Sequence, residues 1–170
     1  MLKMHDRIGT AKQGKTANPE LWPLRLVLDT NIVLDCLVFR DSAMRELTVA
    51  LEAGRVQALV HQCTIDELER VLGYPQCGLT ITEQRQVLDR YLAAATLPPM
   101  PNGFSRDTLL LPAGFPRCRD RDDEAFLALA YHARADGLVT KDRVVLKLRR
   151  RVRKFGVAIL APTDLSIIQA

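Results

Sequence analysis

Leu24-Arg-Leu-Val-Leu28 is a short, mostly apolar run that leads directly into Asp29, Thr30 and Asn31. Its shortness and near-continuous apolarity predict a strand that is buried on both faces, as in a parallel sheet. The three polar residues after it are all of types that cap helix N-termini, so we expect a helix to begin there. A buried strand that ends on an acidic residue and turns into a helix is the pattern on which the fold prediction depends.

The same alternation of strand and helix continues along the chain. Further strands are predicted at 56–60, 137–140 and 157–160, and helices at 44–51, 65–72, 80–95 and 122–133. Thr80 and Glu83 have capping-box spacing, and Asp122 or Asp123 is expected to cap the last of these helices. Residues 96–118 are rich in Pro and Gly and predict a short strand with a long irregular crossing. Because parallel strands need crossover connections, this order predicts an α/β fold with helices on both faces of a parallel sheet.

Length and composition are those of one globular domain. The chain has 170 residues, of which 48% are hydrophobic and 26% charged, and no apolar run approaches the roughly 20 residues that a membrane helix needs. Residues 1–22 are polar and without periodicity, so we expect a flexible N-terminal tail followed by a domain over residues 23–170. The start has no apolar core typical of a secretory signal, which favours a cytoplasmic location.

The cysteines argue against disulfides and a zinc site, and the net charge bears on the kind of substrate. None of Cys36, Cys63, Cys77 and Cys118 forms a C-x-x-C pair, so we expect free thiols rather than disulfides or a zinc site. The net charge is +4 and the pI about 9.0. If the chemistry is acidic, the positive charge must lie around it, and such a distribution suits a polyanionic substrate.

Four acidic residues fall where an α/β sheet usually places its chemistry, beyond the carboxyl ends of its strands. They are Asp29, Glu67, Asp123 and Asp142. Carboxylates gathered at one edge repel one another, and a hard divalent cation relieves that repulsion. Mg²⁺ and Mn²⁺ prefer oxygen ligands, and a metal held in this way can support phosphodiester hydrolysis.

Each of these acids also has a simpler explanation. Asp29 and Asp142 could cap helices, Asp123 could cap a helix or pair with a neighbouring Arg, and Glu67 could be an ordinary surface residue. What favours a shared site is the occurrence of all four at the expected edge. Asp122 is the main competitor of Asp123, and Asp120 is a weaker one.

At these residues the sequence resembles the PIN-domain family, specifically bacterial PIN-family toxin components of toxin–antitoxin systems (VapC-like ribonucleases). Four motifs carry the resemblance, over about residues 24–165: Leu26-Val-Leu-Asp-Thr-Asn-Ile32, Asp66-Glu-Leu-Glu-Arg-Val-Leu72, Cys118-Arg-Asp-Arg-Asp-Asp-Glu-Ala-Phe-Leu-Ala-Leu-Ala130 and Ala135-Asp-Gly-Leu-Val-Thr-Lys-Asp142. Each motif is weak alone, but all four in order and at domain-like spacing are fairly specific.

The resemblance implies a three-layer α/β/α fold with a central parallel sheet of four to five strands. It implies a Mg²⁺- or Mn²⁺-dependent endoribonuclease whose catalytic and metal-binding acids are Asp29, Glu67, Asp123 and Asp142. It further implies RNA as substrate, a cognate antitoxin protein as a possible partner, and a homodimer. Thr30, Asn31, Asp122 and Thr140 are then expected to orient the carboxylates or a metal-bound water, although the two threonines and Asn31 could equally be helix caps.

Lys141 departs from the usual pattern of the family, and a strongly basic run follows it at residues 147–154. Lys141 occupies a position where relatives often carry Gly or Arg, and it could contact a substrate phosphate or pair with a carboxylate. Residues 147–154 hold six basic residues in eight positions, and we expect Lys141, Lys147, Arg149, Arg150 and Arg151 to contact substrate phosphates. The alternative for the basic run is a solvated helix face or a contact with an acidic partner.

Other enzyme classes lack their motifs in this chain. A haloacid-dehalogenase-type hydrolase needs a second Asp where Asn31 stands, and a dinucleotide-binding domain needs a G-x-G-x-x-G turn after the first strand. No nucleophile elbow accompanies His5, His61 or His132. The remaining rival is a catalytically weak PIN domain that serves as an RNA- or protein-binding module.

Overall fold

The central sheet has five strands, all parallel, in the order β3-β2-β1-β4-β5. The computed structural model describes residues 23–168, with side chains through residue 165. The strands are β1 (Leu24–Leu28), β2 (Val56–Leu59), β3 (Ala95–Thr96), β4 (Gly137–Val139) and β5 (Ile159–Leu160). The expected parallel sheet of four to five strands is therefore confirmed. The predicted tail, residues 1–22 with His5, lies outside the described residues.

Seven α-helices connect these strands within residues 23–168. They are α1 (Thr30–Leu37), α2 (Arg45–Glu52), α3 (Gln62–Leu72), α4 (Ile81–Ala93), α5 (Arg121–His132), α6 (Arg143–Lys147) and α7 (Arg149–Val152). Thr80 caps α4 in a capping box with Glu83, as predicted. Residues 97–120 are irregular and carry the chain from β3 to α5.

The two faces of the sheet bury separate apolar clusters, which gives the three layers. Leu26 and Leu28 point to the face covered by α1 to α4, whereas Val27 points to the face covered by α5 to α7. This alternation follows from the two-residue period of a strand, and burial on both faces explains why the Leu24–Leu28 run is apolar almost throughout. The α/β/α prediction is confirmed.

Close packing favours a glycine at the start of β4. A Cβ atom on Gly137 would lie 2.6 Å from Leu160 Cδ1 on β5, which is too close for any other residue without a shift. Gly137 also pairs in register with Leu26 of β1. The absence of a side chain thus lets β4 fit between β1 and β5, which brings the segment after β4 beside the end of β1.

The prediction for the start of α5 was wrong. The cap is Asp120, whose carboxylate accepts a hydrogen bond from the backbone N–H of Asp122 at 2.9 Å. Asp122 and Asp123 therefore lie inside the first turn of α5, and neither side chain is used for capping. This correction matters for the site, since it leaves both carboxylates available for other contacts.

Candidate active site

The candidate site lies at the carboxyl-end edge of the sheet, between β1 and β4. Asp29 directly follows β1, and Asp142 follows β4 after Thr140 and Lys141. Asp123 comes from the first turn of α5, and Glu67 from the middle of α3. Asp29, Asp123 and Thr140 line one small pocket together with apolar side chains of α5, β4 and α6.

Asp29 is the most buried of the four acids, with 6% of its surface exposed. Its Oδ2 accepts a hydrogen bond from the Thr140 hydroxyl at 2.5 Å, and its Oδ1 accepts one from the Asn31 backbone N–H at 3.3 Å. The second bond makes Asp29 the N-cap of α1, so capping and site membership occur together. Because each carboxylate oxygen has its own donor, the orientation of Asp29 is fixed.

Thr140 connects the two strand ends. Its hydroxyl donates to Asp29 and accepts a bond from the Asp142 backbone N–H at 3.0 Å. Asp142 in turn caps α6, since its Oδ1 accepts from the N–H groups of Val144 and Val145. Both capping bonds go to Oδ1, so the cap does not require Oδ2.

Glu67 is held from the β1 side. The Thr30 hydroxyl donates to Glu67 Oε1 at 3.1 Å, which joins α1 to α3. Thr30 is almost fully buried, whereas Glu67 is half-buried. The Asn31 side chain is exposed, and Asn31 contributes to the site through its backbone N–H.

Asp122 and Asp123 are adjacent in sequence but lie in different surroundings. Asp122 forms ion pairs with Arg70 and Arg106. Asp123 contacts the Cys118 thiol at 3.6 Å and is close enough to Asp142 and Asp29 to be influenced by their charges. Asp123 is thus the one that shares a pocket with Asp29.

Burial and mutual repulsion perturb the acids. Burial first, then the charges of Asp142 and Asp29, raise the pKa of Asp123 to about 6. Burial, with the charges of Asp122 and Asp29, raises the pKa of Glu67 to about 7, against the Thr30 hydrogen bond and the Arg70 charge. Burial also raises the pKa of Asp29, although the Thr140 and Asn31 hydrogen bonds oppose this. These carboxyl groups lie close enough to disfavour full ionisation together.

The carboxylate oxygens are ligands that suit a hard divalent cation, but the acidic side chains lie too far apart in this structure to coordinate one together. Among residues 23–165, no three His, Cys, Asp or Glu side chains are grouped closely enough to hold a metal ion. The acids are nevertheless oxygen donors with perturbed pKa values and little compensating positive charge, which is the electrostatic condition that a cation relieves. Asp29, Glu67, Asp123 and Asp142 are the residues that fit it.

The basic residues expected to contact substrate divide into two groups. Lys147, Arg150 and Arg151 are exposed on α6 and α7. Two others are engaged: Arg149 donates to Asp164 at 2.6 Å, and the Lys141 ammonium lies against the buried carboxylate of Asp35. The Lys141 contact is an ion pair by proximity, without hydrogen-bond alignment at Asp35 Oδ2. This is the carboxylate pairing that the sequence left open.

Sequence reasoning missed an ion pair between the buried Glu124 and the exposed Arg117 at the entry to α5. Glu124 is only 1% exposed, and it accepts bonds from the Arg117 side chain and from the Cys118 backbone N–H at 3.1 Å. The pair fixes the segment before Asp120 and therefore the position of Asp123. A Glu beside three Asp residues gives no sequence signal that it is the buried one.

The three-layer parallel fold places these acids at the carboxyl-end edge of the sheet, where α/β proteins commonly form their sites. The family model described as PIN domain matches residues 25–144 of this chain. The chain therefore belongs to the PIN-domain family. No curated protein matches the chain, and no solved structure matches it.

Family membership indicates the general type of activity. PIN domains are generally nucleases, and PIN-domain nucleases typically use divalent metals. The matched range contains Asp29, Glu67, Asp123 and Asp142, and it ends just after the last of them. No helix within residues 23–168 has the length and apolarity needed to cross a membrane.

Proposed function

We propose that this protein is a metal-dependent endoribonuclease that hydrolyses RNA phosphodiester bonds. The observation that supports it best is that Asp29 and Asp123 line one pocket at the carboxyl-end edge of the sheet, where the Thr140 hydroxyl joins Asp29 to the Asp142 backbone. A fold has many possible functions, so the family alone does not decide the reaction. Mutually repelling carboxylates in a partly buried pocket favour a site built for a cation.

Four carboxylates would hold the metal: Asp29, Glu67, Asp123 and Asp142. When bound, Mg²⁺ or Mn²⁺ would activate water and neutralise charge on the phosphodiester. Thr140 orients Asp29 through its hydroxyl, and Thr30 orients Glu67. Burial raises the pKa of Glu67 to about 7. A cation held by Glu67 would favour its ionised form, so metal binding would be coupled to release of a proton there.

RNA is proposed as the substrate because the chain has a net charge of +4 and carries exposed basic side chains just after the last of the four acids. The exposed Lys147, Arg150 and Arg151 follow the Asp142 cap on α6 and α7, so they are available to a phosphate backbone on the β4 side of the site. Arg149 contributes less to this surface, because its guanidinium is paired with Asp164.

The test is cleavage of a fluorescent single-stranded oligoribonucleotide with and without metal. Chelator should abolish cleavage, and added Mn²⁺ or Mg²⁺ should restore it. Cleavage that persists in EDTA, or that is unaffected by loss of Asp29, would contradict the proposed mechanism. Mn²⁺ binding measured by titration calorimetry separates a failure to bind metal from a failure to cleave.

A second candidate is a catalytically weak PIN domain that binds RNA or a protein as a module. It is favoured by the open arrangement of the acids, since no metal-holding group is formed among the described side chains. RNA binding without cleavage at saturating Mn²⁺ would select this candidate. Metal-stimulated cleavage with multiple turnovers would exclude it.

The cellular role is proposed from the resemblance to toxin components. In this role the protein is a cytoplasmic toxin, acts as a homodimer and is inhibited by a cognate antitoxin. Light scattering of the purified chain tests the dimer. Growth arrest on induced expression, lost in an Asp29→Asn variant, tests the toxin role. Normal growth at high expression of a protein active in vitro would contradict it.

A further inference from the structure

Asp122 connects two arginines beside the candidate site. Its Oδ2 pairs with Arg70 at 3.0 Å, and its Oδ1 pairs with Arg106. Arg70 lies on α3, one turn after Glu67, whereas Arg106 comes from the irregular segment before α5. Two guanidinium groups from separate parts of the chain thus converge on one carboxylate.

The arginines keep accessible surface despite this pairing. Arg70 and Arg106 are 46% and 53% exposed, whereas Asp122 is 22% exposed. Arg70 is further fixed by the Tyr74 hydroxyl, which it contacts, and by the Tyr74 ring at 5.6 Å. With one carboxylate between two guanidiniums, the group has a net positive charge, and unused N–H donors remain at the surface.

The group lies on the opposite side of the acids from the basic helices α6 and α7. Arg70 is on the helix that follows β2, and β2 and β4 flank β1 on its two sides. The charges of Asp122 and Arg70 both act on Glu67, which places the group at the site itself. A polyanion that crosses the acidic pocket would therefore meet positive charge on both sides.

We propose that Arg70 and Arg106 bind a phosphate of the RNA substrate on the β2 side of the site, with Asp122 as their resident counter-ion rather than a metal ligand. This inference rests on the proposed ribonuclease function and specifies how its substrate is held. Guanidinium groups bind phosphate oxygens through paired N–H donors, as they bind the Asp122 carboxylate. Asp122 holds the two side chains in place and also lowers their net charge.

A purely structural salt bridge is the competing explanation. Exposed ion pairs contribute little to stability, with a median near 0–1 kcal/mol, so this explanation predicts small effects on folding and none on RNA. A metal-binding Asp122 is the other competitor, and it predicts loss of metal-dependent cleavage when Asp122 is neutralised. The three explanations therefore differ in measurable ways.

The test uses the full chain with Arg70→Gln plus Arg106→Gln, and separately Asp122→Asn. Affinity for a single-stranded oligoribonucleotide is measured by fluorescence anisotropy in EDTA across a salt series, and cleavage is measured in Mn²⁺. Arg90→Gln is the matched control, because Arg90 is similarly exposed and paired with Glu52, near the amino ends of the strands. Thermal unfolding checks that each variant is folded.

The double arginine variant should bind RNA roughly tenfold more weakly, since a charge-assisted hydrogen bond is commonly worth about a factor of ten. Its salt slope should fall by about 0.7 for each phosphate of single-stranded RNA that the variant no longer neutralises. KM should rise with little change in kcat, because the pair holds substrate away from the reacting bond. Asp122→Asn removes one negative charge from the group, so its RNA binding should have a steeper salt slope, and its cleavage should still be stimulated by Mn²⁺.

Two results would overturn this inference while leaving the ribonuclease proposal intact. The first is an RNA affinity and salt slope for the double variant equal to those of Arg90→Gln. The second is loss of Mn²⁺-dependent cleavage in Asp122→Asn with the fold retained, which would make Asp122 a ligand. A wild-type chain that neither binds nor cleaves RNA would overturn both proposals.

Discussion

The two ends of the parallel sheet differ in how their charges are compensated. At the carboxyl ends, Asp29, Glu67 and Asp123 lie in a partly buried group, where burial first and then neighbouring acidic charges raise their pKa values. At the amino ends of β1 and β2, a cavity of about 520 Å³ opens beside the ion pair of Glu52 with Arg90. There the acid has a partner, and both side chains are about half exposed.

The larger cavity and the acids without balanced charge therefore lie at opposite ends of the sheet. The amino-end cavity is wider than the pocket at Asp29, but its charges are balanced. The carboxyl-end pocket is small, and its acids are repelled by their neighbours. A group of like charges that lowers the stability of the fold is a stronger indication of function than an open volume.

The largest effect is expected from Asp29→Asn. Asn keeps the shape of the side chain. Its oxygen can still accept from the Asn31 N–H and its NH2 group can donate to the Thr140 hydroxyl oxygen, but the substitution removes a charge from the proposed cation site. Cleavage in Mn²⁺ should fall by more than ~100-fold, beyond the loss typical of residues that only orient ligands. In EDTA the variant should unfold at the same or a higher temperature, because one repelling buried charge is gone.

Glu52→Gln is the control for that variant at the other end of the sheet. It removes the same charge from an exposed acid that has an arginine partner, and cleavage should be unchanged. If the two variants lost activity equally, the carboxyl-end acids would have no special role. If Asp29→Asn were clearly less stable than wild type in EDTA, the account of repulsion at that end would be wrong.

A smaller loss is expected from Thr140→Val. The hydroxyl that holds Asp29 and accepts from the Asp142 N–H would be replaced by a methyl group of similar size. Cleavage should fall by about 10–100-fold, as for other residues that orient metal ligands. The unpaired N–H should cost about 1–3 kcal/mol in the free energy of unfolding. Thr140→Ser restores the hydroxyl and should recover most of the activity, and failure to recover would argue against the hydrogen bond as the cause.

The fold could be predicted from the sequence because its signals are local. The Leu24–Leu28 run, the capping box at Thr80 and the alternation of strand with helix each depend on residues close in the chain. Even so, the first turn of α5 was misplaced by two to three residues. Asp120, Asp122 and Asp123 have the same capping propensity, and the contact of the buried Glu124 with Arg117 and Cys118, which accompanies the cap at Asp120, has no signal in the sequence.

The candidate acids could be named from the sequence, but their electrostatic surroundings could not. Strand ends meet at one edge by topology, so Asp29 and Asp142 were expected there. The partners of Asp122 are 52 and 16 residues away, and nothing in the sequence connects them. The same is true of Lys141, which pairs with Asp35 across the fold. Which acids are repelled and which are paired is a property of the packed structure.

The thermal stability of the metal-free protein is expected to depend moderately on pH. The pKa values of Glu67 and Asp123 are raised to about 7 and about 6 in the fold, so the folded state binds protons more tightly than the unfolded chain. Their contribution is complete below the ordinary carboxyl range and is lost as pH rises through these values. In EDTA, Tm should fall by several degrees between pH 5 and pH 8, at about 2–4 °C per kcal/mol.

The matched variant for the pH experiment is Glu67→Gln with Asp123→Asn, which should flatten this decline. Added Mn²⁺ at pH 8 should raise the Tm of the wild type, because a ligand that binds only the folded state stabilises it. An upward slope of Tm over the same pH range would contradict the raised pKa values. A Tm that does not respond to Mn²⁺ would count against the cation.

The smallest effect is expected at the amino ends of the strands. Arg90→Gln breaks an ion pair whose members are 48% and 50% exposed, and such pairs are typically worth about 0–1 kcal/mol. Tm should shift by a few degrees at most, with the pH slope, RNA affinity and Mn²⁺-dependent cleavage all unchanged. A change in RNA affinity as large as that of the Arg70 and Arg106 variant would mean that RNA contacts the cavity end of the sheet as well. The contrast between the two ends would then be one of charge balance alone, and substrate binding would extend beyond the acidic edge.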